Sequence, residues 1–121
     1  MGTRQLGQAG EELAVQHLRA MGWTVLDRNW RCRAGELDIV ALEPGEPAVL
    51  VFCEVKCRRG LGYGPPLESI TARKMSKLRE LALHWLRNQE RVFGPLRFDG
   101  IGVLMPVSGP PLLNHVRGIG S

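Results

Sequence analysis

The chain has 121 residues, 44% apolar and 23% charged, which is enough for one hydrophobic core and ordinary for a soluble globular protein. No stretch reaches the ~20 apolar residues of a membrane helix, and Met1 to Met21 lacks the basic start and apolar middle of a signal peptide, so a single cytoplasmic domain over 1–121 is expected. Sixteen basic against twelve acidic residues give a net charge of +4 and a pI near 9.4, which suits a polyanionic partner without requiring one.

From about Leu6 to Met21 the chain reads as an amphipathic helix. Leu6, Leu13, Ala14, His17, Leu18 and Met21 share one side at 100° per residue, and Gln8, Glu12, Gln16 and Arg19 take the other. Glu11 falls beside Leu18 at the edge of the apolar arc, so it points toward the protein body, where it could act as an acidic ligand or stand as a rim glutamate. His17, on the apolar face, is expected to be a hydrogen-bonded core residue. Gly22 stops the helix, and Trp23-Thr24-Val25-Leu26 reads as the first strand. Asp27 to Arg33 follows as a polar connection with three arginines and Trp30. Trp30 fits either of two roles: an aromatic between cations that stacks on a nucleic acid, or a core residue flanked by solvated arginines.

Glu36 to Leu42 and Ala48 to Cys57 read as an antiparallel pair of strands turned at Pro44-Gly45-Glu46. Both runs are apolar apart from Glu36, Asp38, Glu54 and Lys56, and such charges are almost never fully buried unless paired. Side chains alternate along a strand, so Glu36 and Asp38 share a face, as do Glu54 and Lys56; strands ~4.8 Å apart let Asp38 and Glu54 converge. Two hard oxygen ligands and a strand carbonyl suit Mg²⁺ or Mn²⁺, with the lysine beside a bound water. The simpler alternative is a buried salt bridge between Lys56 and one carboxylate.

Arg58 to Pro66 is a glycine-rich loop without Gly-Lys-Ser/Thr, so it is no nucleotide P-loop; it either admits DNA to a cleft or simply connects. A long helix is expected from about Leu67 to Gln89, with Lys74 in the middle of its buried side, aimed at a cleft phosphate or snorkelling to water. Arg97 to Leu104 reads as a further strand with Asp99 structural, and Leu112 to Val116 as an edge strand. Cys53 and Cys57 are ~13 Å apart on an extended strand, too far for a disulfide, and without a CxxC pair the three cysteines are expected as reduced thiols.

Asp38, fifteen intervening residues, then Glu54-Val55-Lys56 resembles the PD-(D/E)xK nuclease signature. The wider text is more specific: Gly10-Glu11, Arg28-Asn29-Trp30-Arg31-Cys32-Arg33, Gly35-Glu36-Leu37-Asp38-Ile39, Phe52-Cys53-Glu54-Val55-Lys56, Tyr63-Gly64, Lys74 and Arg97-Phe98-Asp99. In that order and spacing they resemble the YraN family of small bacterial endonuclease-like proteins. The ending Gly118-Ile119-Gly120-Ser121 departs from the aromatic close usual in that family.

The resemblance implies an α/β, restriction-endonuclease-like three-layer domain with a mixed central sheet flanked by helices, similar to archaeal Holliday-junction resolvases. It further implies metal-dependent phosphodiester hydrolysis, with Asp38, Glu54, the Val55 carbonyl and Glu11 around Mg²⁺ or Mn²⁺, Lys56 at the attacking water and Glu36 in support. Arg31, Arg33, Arg58 and Lys74 then hold nucleic acid, DNA in the first place. A homodimer follows by analogy with resolvases that cut two strands symmetrically. The alternative is a nucleic-acid-binding module of the same fold without cleavage, and a third is an interaction protein with no nucleic-acid affinity.

Overall fold

A computed structural model describes residues 2–60 and 70–120 as α1 (Thr3–Ala20), β1 (Thr24–Cys32), β2 (Gly35–Glu43), β3 (Val49–Arg58), α2 (Ala72–Arg87), β4 (Leu96–Leu104) and β5 (Leu112–Val116). Residues 61–69, with most of the glycine-rich loop and the expected helix start at Leu67, lie outside the described residues, as does Ser121.

The five strands form one sheet in sequence order. The hairpins β1–β2 and β2–β3 are antiparallel, β4 joins β3 in parallel across the connection that carries α2, and β5 returns antiparallel to β4. Alternation on the central strands makes two apolar faces. Ile39, Ala41, Val51, Cys53, Ile101 and Val103 pack against Ala14, Val15 and Leu18 of α1. Val40, Leu50 and Phe52 pack against Met75, Leu78, Leu81 and Trp85 of α2. This is the α/β, mixed-sheet arrangement with a helix on each face that the sequence led one to expect. Among the described residues no helix is long and apolar enough to cross a membrane.

Two expectations are corrected. The stretch Asp27–Arg33 is largely strand: β1 continues to Cys32, paired with β2 down to Gly35. Its alternation is disguised by a register shift between Val25 and Asp27 and by Asn29 at φ +50°. Ile70 and Thr71 precede α2, whose first turn is capped by Thr71 Oγ1 accepting from Lys74 N–H at 3.2 Å. Trp30 takes its second role, packed with the cluster beneath α2.

Gly10 sets how closely α1 lies on the sheet. A Cβ there would overlap Cys57 Sγ on β3, so Gly10→Ala is expected to lift the helix and cost about 1–3 kcal/mol in denaturant unfolding. A loss under ~0.5 kcal/mol would mean the thiol simply rotates aside.

The β5 edge is tied down by a buried polar chain. His17 Nε2 meets His115 Nδ1 at 3.0 Å, and His115 Nε2 lies 2.8 Å from Asp99 Oδ2. Asp99 is fully buried and also accepts from Arg97 at 2.7 and 2.9 Å and from Gly118 N–H at 3.0 Å. Arg97 continues to Glu43 at 2.8 Å. Burial first, then the charges of His115 and Arg117, hold His17 below its ordinary pKa. The unfolded chain therefore takes up a proton that the folded chain refuses, so stability falls as pH drops below about 6.5. A melting curve taken from pH 7 to pH 5 should decline, and His17→Gln should flatten it; parallel profiles would rule His17 out as the cause.

Candidate metal centre and nucleic-acid cleft

The site lies where β2 and β3 part. Their regular pairing ends at Ile39↔Cys53, and one rung further Asp38 and Glu54 stand across from each other. There the Asp38 side chain takes a bond the ladder would otherwise make: its Oδ2 accepts the Val55 N–H at 2.8 Å. Leu37 packs beneath α2 and Ile39 beneath α1, so the alternation of faces breaks at Asp38. The carboxylate is thereby directed along the sheet toward β3 instead of into either core.

A cleft of about 580 Å³ opens at this point, walled by Glu11, Asn29, Glu36, Asp38, Val55 and Lys56, with Arg4, Arg31 and Arg58 among its rim. Burial, followed by the Glu54 charge, raises the Asp38 pKa to about 7, and Glu11 and Glu36 push the same way more weakly. Ionising this cluster is costly, which is the electrostatic condition a divalent cation relieves.

Glu54 sits behind the cleft wall, 4% exposed. Its Oε1 lies 3.5 Å from Lys56 Nζ and 3.2 Å from Lys74 Nζ. The buried Lys56–carboxylate pair weighed as the simpler alternative is thus present, yet among the described residues no cation pairs with Asp38. Lys74, on the capped first turn of α2, is aimed at the site as one of its two expected positions required.

Glu11 accepts from Asn29 Nδ2 at 2.7 Å and lies 3.6 Å from Arg28 Nη2, whose shorter contact, 2.9 Å, goes to Glu12. Burial raises the Glu11 pKa; Asn29 and Arg28 oppose the rise and Glu36 adds to it. Among the described residues no three His, Cys, Asp or Glu side chains are gathered tightly enough to hold an ion by themselves. The oxygen donors are the carboxylates of Glu11, Glu36 and Asp38 on the cleft wall with Glu54 behind it, a hard-ligand set that fits a cation keeping several waters.

The basic residues divide. Arg31 is 76% exposed beside the cleft, 3.4 Å from Glu36. Arg58 lines the cleft and donates to the Cys57 carbonyl at 3.0 Å. Arg33 is exposed in the turn after β1 and is not part of the wall. Cys57 lines the cleft with its thiol pKa raised by burial, and all three cysteines are free. Among the cleft-lining residues not expected at the site are Arg4, because the helix begins a turn earlier than its apolar periodicity, and Asn29, which the sequence placed in a polar connection.

A family model described as uncharacterised protein family UPF0102 matches residues 10–103. The chain is 47% identical over 123 residues to a UPF0102 protein of Acidothermus cellulolyticus, covering 93% of this chain and 91% of that one. It is 50% identical over 116 residues to a UPF0102 protein of Mycobacterium avium, covering 96% and 90%. Among solved structures, Pyrococcus furiosus SfsA in complex with Ca²⁺ aligns at a TM-score of 0.40 and 16% identity, over 96% of this chain and 64% of that one.

Proposed function

We propose that this chain, which belongs to uncharacterised protein family UPF0102, the YraN family whose motifs it carries, is a Mg²⁺- or Mn²⁺-dependent endonuclease acting on DNA, branched or structured DNA included. The observation that supports this best is Asp38: a carboxylate held in an open cleft beside Glu54, its pKa near 7, with an ammonium group alongside.

Asp38, Glu54 and the Val55 carbonyl hold the cation, with Glu11 joining directly or through water. The cation, when bound, lowers the pKa of a coordinated water and polarises a phosphoryl oxygen. Lys56 Nζ, as an ammonium, orients the attacking water and offsets the charge that grows on the phosphate, while the water's proton leaves to solvent. Lys74 neutralises Glu54 in the free protein and is near enough to reach a phosphate once that carboxylate is otherwise engaged. Glu36 keeps Arg31 at the cleft mouth. Arg4, Arg31 and Arg58 contact phosphates, which gives salt-sensitive binding with little sequence preference. A cytoplasmic setting and a homodimer cutting two strands belong to the same proposal.

The test is nicking of branched, flap and plain duplex DNA with Mg²⁺ or Mn²⁺, by wild type, Asp38→Ala and Lys56→Ala. Cleavage by the wild type that both variants lose supports the enzyme. Salt-sensitive binding equal in all three, with no cleavage under either metal, makes the protein a binding module of the same fold.

A further inference from the structure

Asn29 has three properties that are hard to reconcile with an ordinary strand residue. Its φ is +50°, the left-handed region, and it is the one non-glycine residue at positive φ among those described. Asparagine tolerates that region better than most side chains, but a regular strand never calls for it. In the β1–β2 register it falls between the pairs Arg28↔Ile39 and Trp30↔Leu37, directly across from Asp38. Its side chain turns to α1, where Nδ2 donates to Glu11 Oε1 at 2.7 Å. Because Arg28 makes its shorter contact with Glu12, the Glu11 carboxylate is held chiefly by this amide.

The consequence is geometric. Glu11 comes from a helix and Asp38 from the second strand, and no ladder bond fixes the distance between them. Asn29 sits on the strand next to Asp38 and grips Glu11, so its backbone kink is the element that sets one carboxylate relative to the other. Strained backbone conformations gather where surrounding structure pays to hold a functional group.

We propose that Asn29 is a positioning residue of the metal centre, its left-handed backbone and side-chain amide together fixing Glu11 in the cleft opposite Asp38. The inference rests on the endonuclease reading for its purpose, though not for its geometry. A purely structural Asn29 would matter only through its backbone, and glycine supplies that backbone without the amide.

Asn29→Gly therefore separates the two. It is expected to fold and melt within a few degrees of wild type, yet to need about 10–100-fold more Mn²⁺ for half-maximal cleavage, with a smaller fall in rate at saturating Mn²⁺. Asn29→Ala should show the same shift plus a lowered melting temperature. In the metal-free protein, the Asn29 side-chain amide resonances should move on Glu11→Ala. An Asn29→Gly protein with the wild-type Mn²⁺ requirement, or amide resonances indifferent to Glu11→Ala, overturns the proposal. Should the wild type cleave nothing, the endonuclease reading fails separately, and calorimetric Mn²⁺ titration decides in its place: weaker binding by Asn29→Gly sustains the positioning role, and equal or absent binding in both proteins ends it.

Discussion

Asp38→Asn is expected to withstand heat better than the wild type at pH 8 while losing cleavage by at least about 10²-fold. Burial and the Glu54 charge push the Asp38 pKa up to about 7, whereas an unfolded aspartate titrates near ~3.9. The sign follows from which state binds the proton. Between those values the folded chain keeps a proton that the unfolded chain has released, so stability falls as pH rises from ~4 toward 7 and stays low above it. The ceiling on that penalty is about 4 kcal/mol, and rearrangement around the coupled carboxylates reduces it. Asparagine has the same shape, still accepts from Val55 N–H and carries no charge to repel Glu54. A gain of roughly 5 °C at pH 8 that disappears near pH 4 is the expected signature. Saturating Mn²⁺ should raise the melting point of the wild type and leave the variant unmoved. A variant no more stable than wild type at pH 8 that still cleaves DNA would remove Asp38 from the centre.

Asp99→Ala is expected to be the most damaging single change to the fold, at about 3–5 kcal/mol in denaturant unfolding. Burial pulls the Asp99 pKa upward, but hydrogen bonds from His115, Arg97 and the Gly118 N–H outweigh it and hold it at about 2. Removing the carboxylate takes the acceptor from the buried side of Arg97 and from the His115 ring at once, and breaks the tie to Gly118. The segment released is β5 and the tail behind it, because Gly118 is anchored through Asp99 and Ile119 packs in the cluster beneath α2. Asp99→Asn should recover only part of the loss, since an amide can accept from fewer of these donors and carries no charge opposite Arg97. A cost below ~1 kcal/mol for the alanine variant would show that β4–β5 pairing suffices without the polar chain.

Much of this was legible before any coordinates. Helix α1 announced itself through Ala14 and Leu18, strands β2 and β3 through runs of apolar residues, and α2 through Met75, Leu78, Leu81 and Trp85. The charges inside the apolar runs marked the candidate centre for the same reason, since a carboxylate placed among valines has to find a partner. Periodicity also put Glu11 on the body side of its helix, where it is found, and His17 on the apolar face, where it is hydrogen-bonded but only half-buried.

What stayed hidden was every feature in which the chain leaves its period. Asp27 to Arg33 did not look like a strand, because a register shift and a left-handed residue scramble the alternation, and only pairing with β2 makes it one. Val15 is fully buried on α1 because contact with the sheet, not the arc of Leu13, Ala14 and Leu18 alone, decides the matter. By itself, then, the sequence determined which segments are amphipathic, how they are ordered and which charges sit among apolar neighbours, all of which depend on residues close in the chain. The tertiary structure alone decided that Asp38 turns to the Val55 amide, that two lysines from different elements meet on Glu54, and that Asn29 grips Glu11. Those contacts join residues up to twenty positions apart, and their geometry depends on where a ladder stops pairing, which no local pattern records.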